Sequence, residues 1–294
     1  MKIKKSISGH IFDAANTVFL ICLTLVTLYP CYYVLVASVS DPAAFYRGSA
    51  FVLLPRGFGL YSYLSVLKNG TIWLGYRNTI LYVTVGTLLS VILTTSAAFC
   101  LSRSRMRGRN TIMMLITFSM YFGGGMIPTY LTVRSLGILN TPFAMIIPNA
   151  VSAYNLIITL SYFKSIPASL DEAARIDGAG TFSIFWKVML PLATPIVAVI
   201  SLYYAVGIWN DYMSGLLYIT KPQWKPLQMC LRDILLQEGG GVNQSGSVSS
   251  ADEVAYAANI RYATIVISTI PILCVYPFIQ RYFIKGVMIG AVKG

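Results

Sequence analysis

Six long apolar segments constrain this 294-residue chain more than any other feature of its sequence. A helix needs roughly 20 mostly apolar residues to cross the hydrocarbon core of a bilayer. Together the segments leave no room for a separate water-soluble domain, so residues 1–294 are predicted to form one all-α transmembrane domain. The composition agrees, because only 11% of the residues are charged, against about 25% in soluble proteins. The segments cover approximately residues 11–37, 76–101, 111–133, 142–163, 192–219 and 258–284.

The charges around these segments predict their orientation. Three lysines at positions 2, 4 and 5 precede the first segment, which favours a cytosolic N-terminus. No small-residue cleavage site follows a short apolar core there, so the first segment is predicted to be retained as a helix. Six spans then return the C-terminus to the cytosol, and residues 38–75 and 221–257 become the long outer loops. The short segment 102–110, with four arginines and no acid, falls on the cytosolic side.

A polar segment, residues 164–191, lies between the fourth and fifth apolar segments, on the cytosolic side of this topology. Ser169 is a candidate N-cap, and Glu172 three residues later completes a capping box. Ile176 belongs to the short helix that follows, and Gly178 is suited to the left-handed conformation that ends a helix.

A second short helix is predicted to follow directly. Thr181 is its candidate cap, and Ile184, Phe185 and Val188 share one face. Pro191 is predicted to stop it. The resulting helix-turn-helix carries no catalytic chemistry, and a short polar hairpin at a membrane surface is suited to fill the groove of a partner protein.

This segment resembles the signature loop of ABC importer permeases. That loop has Glu-Ala-Ala, a glycine six residues after the glutamate, and an aliphatic residue before Leu-Pro; Val188 stands where the family usually has isoleucine. The resemblance implies that the segment couples the permease to an ATPase. The coupling residues are then Glu172, Ala173, Ala174, Asp177, Gly178, Val188, Leu190 and Pro191.

The resemblance implies the architecture and the partners as well. Type I ABC importer permeases have six transmembrane helices and a cytosolic coupling helix-turn-helix between spans 4 and 5. The chain is then a transport subunit rather than an enzyme, in the cytoplasmic (inner) membrane of a bacterium. Its partners are a second, homologous permease, two copies of a cytosolic ABC ATPase and an extracytoplasmic solute-binding protein. The chain binds no cofactor or metal itself, because ATP and Mg belong to the ATPase.

Two further stretches resemble the carbohydrate-uptake branch of the family, the maltose-importer type. They are the element Trp209-Asn210-Asp211-Tyr212 and the C-terminal residues 286–294. The long insert 221–257 is similar to that of permeases for complex oligosaccharides, including uronate-rich ones such as alginate fragments. The net charge of +12 is largely juxtamembrane, where anionic lipid headgroups attract it, so no nucleic acid is expected as a partner.

Polar and aromatic side chains in the apolar segments are candidates for a substrate path. Asp211 stands out, because an acid within a span is expected to face the bundle interior. The alternative is a structural residue at a helix end, hydrogen-bonded to a neighbouring helix. Stacked aromatic rings and amide or carboxylate hydrogen bonds suit a sugar. The candidates are Asn78, Tyr82, Asn149, Ser152, Tyr154, Asn155, Trp209, Asn210, Asp211 and Tyr212.

Three alternatives stay open from the sequence. One is an ABC permease for a non-sugar solute such as phosphate, a polyamine or a peptide. Another is an ion-coupled secondary transporter, although no internal repeat is evident. The third is a membrane subunit without a translocation path.

Two local features complete the prediction. Gly123, Gly124 and Gly125 indicate close helix packing or a bend before Pro128. Apolar residues at helical spacing over 227–235 predict an amphipathic helix, followed by a mobile tip at 239–250.

Overall fold

The computed structural model describes residues 7–46, 52–103, 106–237, 255–256 and 258–274. Within these ranges the chain is predominantly helical, and the β pairing is limited to one isolated bridge between Ser40 and Phe58. The helices are α1 Ile7–Val39, α2 Pro42–Tyr46, α3 Tyr61–Lys68, α4 Gly70–Ser102, α5 Arg109–Tyr121, α6 Met126–Ser135, α7 Pro142–Ile146, α8 Ala153–Ser165, α9 Ala168–Ile176, α10 Thr181–Leu192, α11 Thr194–Trp209, α12 Met213–Tyr218, α13 Leu227–Gln237 and α14 Ala258–Cys274.

The first of two compact units contains the described residues up to Asn69 and those within Asp233–Thr269. Its main element is the 33-residue apolar helix α1. The end of α1 packs in a small apolar cluster, where the rings of Tyr33 and Tyr262 meet edge to face at 5.8 Å. The Asn259 side-chain amide donates to the Ser40 carbonyl at 2.8 Å, so the polar backbone at the end of α1 is satisfied within the unit.

The second unit contains the described residues of Gly70–Arg232 and of Ile270–Gly294, and it is built around α4. Both α8 and α11 pack along α4. Small residues on α4, including Gly86, Ser90 and Thr94, are buried, which lets neighbouring helices approach closely. One apolar core cluster joins the last turns of α4 to α8 and α10, through Phe99, Leu160 and Phe185 among others.

Within the described residues, two continuous helices, α1 and α4, are long and apolar enough to cross a membrane. They cover the predicted segments 11–37 and 76–101, with α4 beginning six residues early, at Gly70. The predicted segment 258–284 begins with α14, and residues 275–284 lie outside the described residues. The mobile tip at 239–250 and the C-terminal residues 286–294 also lie outside them.

The predicted segment 111–133 is not one helix, because α5 and α6 meet at 116°. The break contains the three glycines, and Gly125 has φ +85°. A Cβ on Gly123 or Gly125 would have no atom within 4 Å, so a bend rather than close packing explains these glycines.

The predicted segments 142–163 and 192–219 are likewise not continuous helices. The first segment is interrupted between α7 and α8, where Pro148 lacks an amide N–H. Ser152 then caps the start of α8, because its hydroxyl accepts from the Asn155 N–H at 3.4 Å. The second is interrupted between α11 and α12, where Asp211 lies. Hydropathy alone does not reveal these breaks, because the sequences on both sides remain apolar.

Candidate functional site

A cleft of about 650 Å³ opens at the break between α7 and α8. One wall is the start of α8 and the other is α11 with the residues just after it. The cleft brings together five residues that the sequence predicted and adds several that it missed. Its lining is Pro148, Asn149, Val151, Ser152, Tyr154, Asn155, Tyr203, Tyr204, Gly207, Ile208 and Asp211.

Tyr204 holds the two walls together. Its hydroxyl accepts from the Ser152 backbone N–H at 3.0 Å and lies 2.7 Å from the Thr94 hydroxyl. Because the N–H must donate, the tyrosine proton is available for Thr94. One buried side chain thus connects α11, α8 and α4. This role was not predictable from the sequence, since Tyr204 is one of several tyrosines in an apolar segment.

Asp211 has the helix-end position that the sequence left open, and its role on a substrate path stays a prediction. Its Oδ1 accepts from the Ser214 backbone N–H at 3.0 Å and so satisfies a donor in the first turn of α12. The Ser214 hydroxyl in turn lies 3.4 Å from the Asn149 side-chain amide. Asp211 is a helix-end residue at a break, rather than a residue within a continuous span, and it also lines the cleft.

The cleft wall combines aromatic faces with amide and carboxylate groups. The rings of Tyr154 and Tyr203 lie 6.3 Å apart at an interplanar angle of 42°, and Tyr154 is 51% exposed. Asn155 and Asp211 supply polar groups beside them. Among the described residues that line the cleft, none is basic. The arrangement suits hydroxyl-rich rings, which stack on aromatic faces and exchange hydrogen bonds with amides.

Three residues of the Trp-Asn-Asp-Tyr element are not brought to the cleft. Trp209 is buried, with its ring 6.2 Å from that of Tyr76. The Asn210 side-chain amide donates to the Val206 carbonyl of its own helix at 3.0 Å. The centroid of the Tyr212 ring lies 5.7 Å from the guanidinium carbon of Arg232. Their role on a substrate path therefore stays a prediction, without support from the cleft.

Asn78 and Tyr82 lie elsewhere on α4 and hold a loop. The Asn78 side-chain amide donates to the carbonyl oxygens of Gln223 and Lys225 at 2.9 and 3.0 Å. The Tyr82 hydroxyl donates to the Trp224 carbonyl at 2.7 Å. Both side chains are almost fully buried, so the structure gives them the task of fixing the loop rather than lining the cleft.

The same face of α4 receives the start of α13. The Thr79 hydroxyl accepts from the Leu227 backbone N–H at 2.8 Å. A Cβ on Gly75 would lie 3.0 Å from the Leu227 Cα and 3.0 Å from the Cys230 sulfur. The amphipathic helix predicted at 227–235 is confirmed as α13. Its contact with Gly75 could not be read from the sequence, because the partners are more than 150 residues apart.

The polar segment 164–191 folds as two helices, as predicted, but the first helix begins differently. Pro167 occupies the N-cap position of α9, and Ser169 lies inside the first turn with no side-chain cap. The predicted Ser169–Glu172 capping box was therefore wrong. Pro167, whose ring fixes φ, has φ −56° and ψ 133°, and the helix starts directly after it, at Ala168. Glu172 is exposed.

The end of α9 is as predicted. Gly178 has φ +81°, its N–H donates to the Arg175 carbonyl at 3.0 Å, and the Ala179 N–H donates to the Ala174 carbonyl at 2.9 Å. These two bonds form a Schellman motif, in which a left-handed residue closes a helix. Ala174 and Ala179 pack against the core cluster, whereas Asp177 and Gly178 are exposed.

The second helix, α10, has a buried and an exposed side. Ile184 and Phe185 are buried and Val188 is half-buried, as predicted for a shared face. Pro191 does not stop the helix, which runs on to Leu192 and contains a π-helical stretch over Ile184–Met189.

Several large apolar side chains remain exposed on α9 and α10. Ile176 is 85% exposed, Phe182 76% and Trp186 44%. With the nearby Glu172 and Ala173, they form a mixed apolar and acidic surface, which we call the α9–α10 surface.

Comparison with known proteins identifies the family. A family model described as a binding-protein-dependent transport system inner membrane component matches residues 70–289. This chain belongs to that family. The permease is 40% identical over 287 residues to Protein LplC of Bacillus subtilis (strain 168), and the matched region covers 98% of this chain and 96% of that protein. It is 39% identical over 289 residues to the polygalacturonan/rhamnogalacturonan transport system permease protein YtcP of the same organism, covering 97% and 99%.

A solved structure agrees with this assignment. The permease superposes with a TM-score of 0.86 and 37% identity on a chain of a bacterial ABC transporter involved in the import of the acidic polysaccharide alginate. The match covers 96% of this chain and 100% of that one. The resemblance to ABC importer permeases of the carbohydrate-uptake family is therefore confirmed. The chain is a membrane transport subunit for sugars or oligosaccharides.

Proposed function

We propose that this permease serves an ATP-driven, binding-protein-dependent importer of oligosaccharides, with uronate-containing glycans as the preferred substrates. The cleft between α8 and α11 carries the oligosaccharide part of the proposal, and the relatives' names carry the uronate part. The cleft combines the Tyr154 and Tyr203 rings with the side chains of Asn155 and Asp211. One protein that this permease resembles is named for the transport of polygalacturonan and rhamnogalacturonan, and another for the import of the acidic polysaccharide alginate.

The proposed assembly is a heterodimer of this permease with a homologous one, two cytosolic ABC ATPases and an external solute-binding protein. The six predicted segments form six spans, with both termini in the cytosol. The α9–α10 surface then faces the ATPase. Its exposed Ile176, Phe182 and Trp186 are the kind of apolar anchors that dock in a partner's groove, and Glu172 supplies a charged contact. ATP and Mg are held by the ATPase.

The connection between this surface and the cleft supports coupling. Helix α8 lines the cleft at its first residues and leads to α9 after its last. Helix α11 lines the cleft near its end and follows α10. With 13 and 16 residues, these helices span about 20 and 24 Å. Closure of the ATPase pair moves α9 and α10, and the two helices carry that movement to the cleft, switching it between inward- and outward-facing states.

The charge of the cleft bears on the substrate. Asp211 is acidic, and none of the described residues that line the cleft is basic, so these residues offer a uronate carboxylate no counter-charge. We infer that the partner permease supplies it. This permease then contributes stacking surface and hydrogen bonds to the sugar rings.

The test is ATPase stimulation in liposomes that contain this permease with its partner permease, ATPase and binding protein. Neutral and uronate oligosaccharides of matched length are each presented with the binding protein. Stimulation by uronate oligosaccharides supports the proposal, and stimulation by neutral ones alone contradicts the preferred substrate.

Stimulation only by phosphate, a polyamine or a peptide would overturn the oligosaccharide proposal and favour an importer of that solute.

A further inference from the structure

We infer that an ion pair between Arg103 and Asp171 positions α9 against the end of α4, and that this positioning is needed for coupling. The inference rests on the proposed function. The Arg103 Nη1 lies 2.6 Å from Asp171 Oδ2, and the two side chains are only 23% and 14% exposed. A charge-assisted contact of this length is strong when it is shielded from water. We call it the Arg103–Asp171 pair.

Arg103 is fixed by the core as well as by its partner. It follows directly after α4, and its guanidinium carbon lies 4.5 Å from the centroid of the Phe99 ring. Phe99 packs against Phe185 of α10, with ring centroids 5.2 Å apart. A cation over an aromatic face is held in place as well as attracted, so Arg103 presents a defined anchor to α9.

Asp171 and Glu172 have different roles on α9. Neighbouring residues on a helix point about 100° apart, and here Asp171 is turned towards Arg103 while Glu172 is exposed. The exposed acid is free to contact a partner protein. The shielded acid ties α9 to its own chain.

The consequence concerns how movement spreads through the permease. Helix α4 packs on both α8 and α11, the two helices that form the cleft walls. The Arg103–Asp171 pair therefore connects α9 to the helix that both walls share. Without the pair, α9 keeps its link to α10 and the packing of Ala174 against the core cluster, but it loses its ionic link to the end of α4.

The matched control is Arg175. Its Nε lies 3.3 Å from the same Asp171 oxygen, but it is on the same helix, one turn away, and is 41% exposed. Exposed pairs of this kind contribute little. Arg175→Gln removes a charge from the same acid without touching the link to α4.

The experiment measures substrate uptake per ATP hydrolysed, in liposomes containing the full importer with its binding protein. We expect Arg103→Gln to lower this ratio about tenfold, equivalent to ~1.4 kcal/mol, with the ATPase still bound. Arg103→Lys should restore the ratio, because the pair uses a single nitrogen of the guanidinium. The exchanged pair Arg103→Asp with Asp171→Arg should recover more than either change alone, and Arg175→Gln should match the wild type.

Two results would overturn the inference: an unchanged ratio in Arg103→Gln, or equal losses in Arg103→Gln, Arg103→Lys and the exchanged pair. The second would mean that the arginine is needed for folding rather than as an ionic link. Failure of the proposed function is distinguishable, because the wild-type importer itself would then show no substrate-stimulated uptake.

Discussion

Gly178 offers a test in which backbone conformation alone is changed. It closes α9 with φ +81°, and an added Cβ would meet no atom within 4 Å. Within this chain, an effect of Gly178→Ala therefore comes from the left-handed conformation and not from a clash. That conformation costs a non-glycine residue about 1–2 kcal/mol, which is a roughly 5- to 30-fold loss of the closed Schellman conformer. Valine, with its branched Cβ, tolerates positive φ less well than alanine.

The expected order of activity is wild type, then Gly178→Asn, Gly178→Ala and Gly178→Val. Asparagine is the control, because it adds a side chain yet tolerates the left-handed region. The assay is substrate-stimulated ATPase activity in liposomes at equal amounts of assembled complex, with uptake measured in parallel. Equal activity of the alanine and valine variants would refute the reasoning that the left-handed cap sets the geometry of the α9–α10 surface.

Three further predictions test other parts of the account. Glu172→Arg reverses an exposed charge and should abolish coupled uptake or ATPase binding; normal stimulated ATPase activity and uptake would remove its docking role. Asp211→Asn keeps an oxygen that can accept from the Ser214 N–H but removes the negative charge. The rate of uronate uptake relative to that of neutral oligosaccharides should therefore rise about fivefold, or ~1 kcal/mol. No change in the ratio of the two rates would show that the carboxylate does not face the substrate. Gly75→Ala places a methyl 3.0 Å from the Leu227 backbone and should lower the free energy of unfolding by about 1–3 kcal/mol. The control, Gly70→Ala, has open space around the added methyl and should not lower it. Equal thermal midpoints for the two variants would contradict the close contact.

The sequence was most informative where one local rule determines the structure. The left-handed Gly178 is one case, because few other residues end a helix in that way. The helices α1 and α4 are another, since their apolar sequences are long and uninterrupted. The start of α9 shows the limit of such rules: Ser169 satisfied a capping pattern, but Pro167 decided where the helix begins.

The candidate site was harder to predict, because its geometry depends on distant contacts. Asn78 and Asn155 are the same residue type in apolar segments, yet one holds a loop about 145 positions away and the other lines the cleft. Tyr204 was missed for the same reason, as its partners Thr94 and Ser152 lie on two other helices. No spacing within one segment distinguishes these roles.

The most direct test of the central claim is accumulation of a labelled oligosaccharide inside liposomes that contain the complete importer, with the binding protein on the outside. The account predicts accumulation above the external concentration only when ATP and Mg are present at the ATPase side. A non-hydrolysable ATP analogue should abolish it, and a proton or sodium gradient should not replace ATP. Accumulation driven by an ion gradient without ATP would contradict the account.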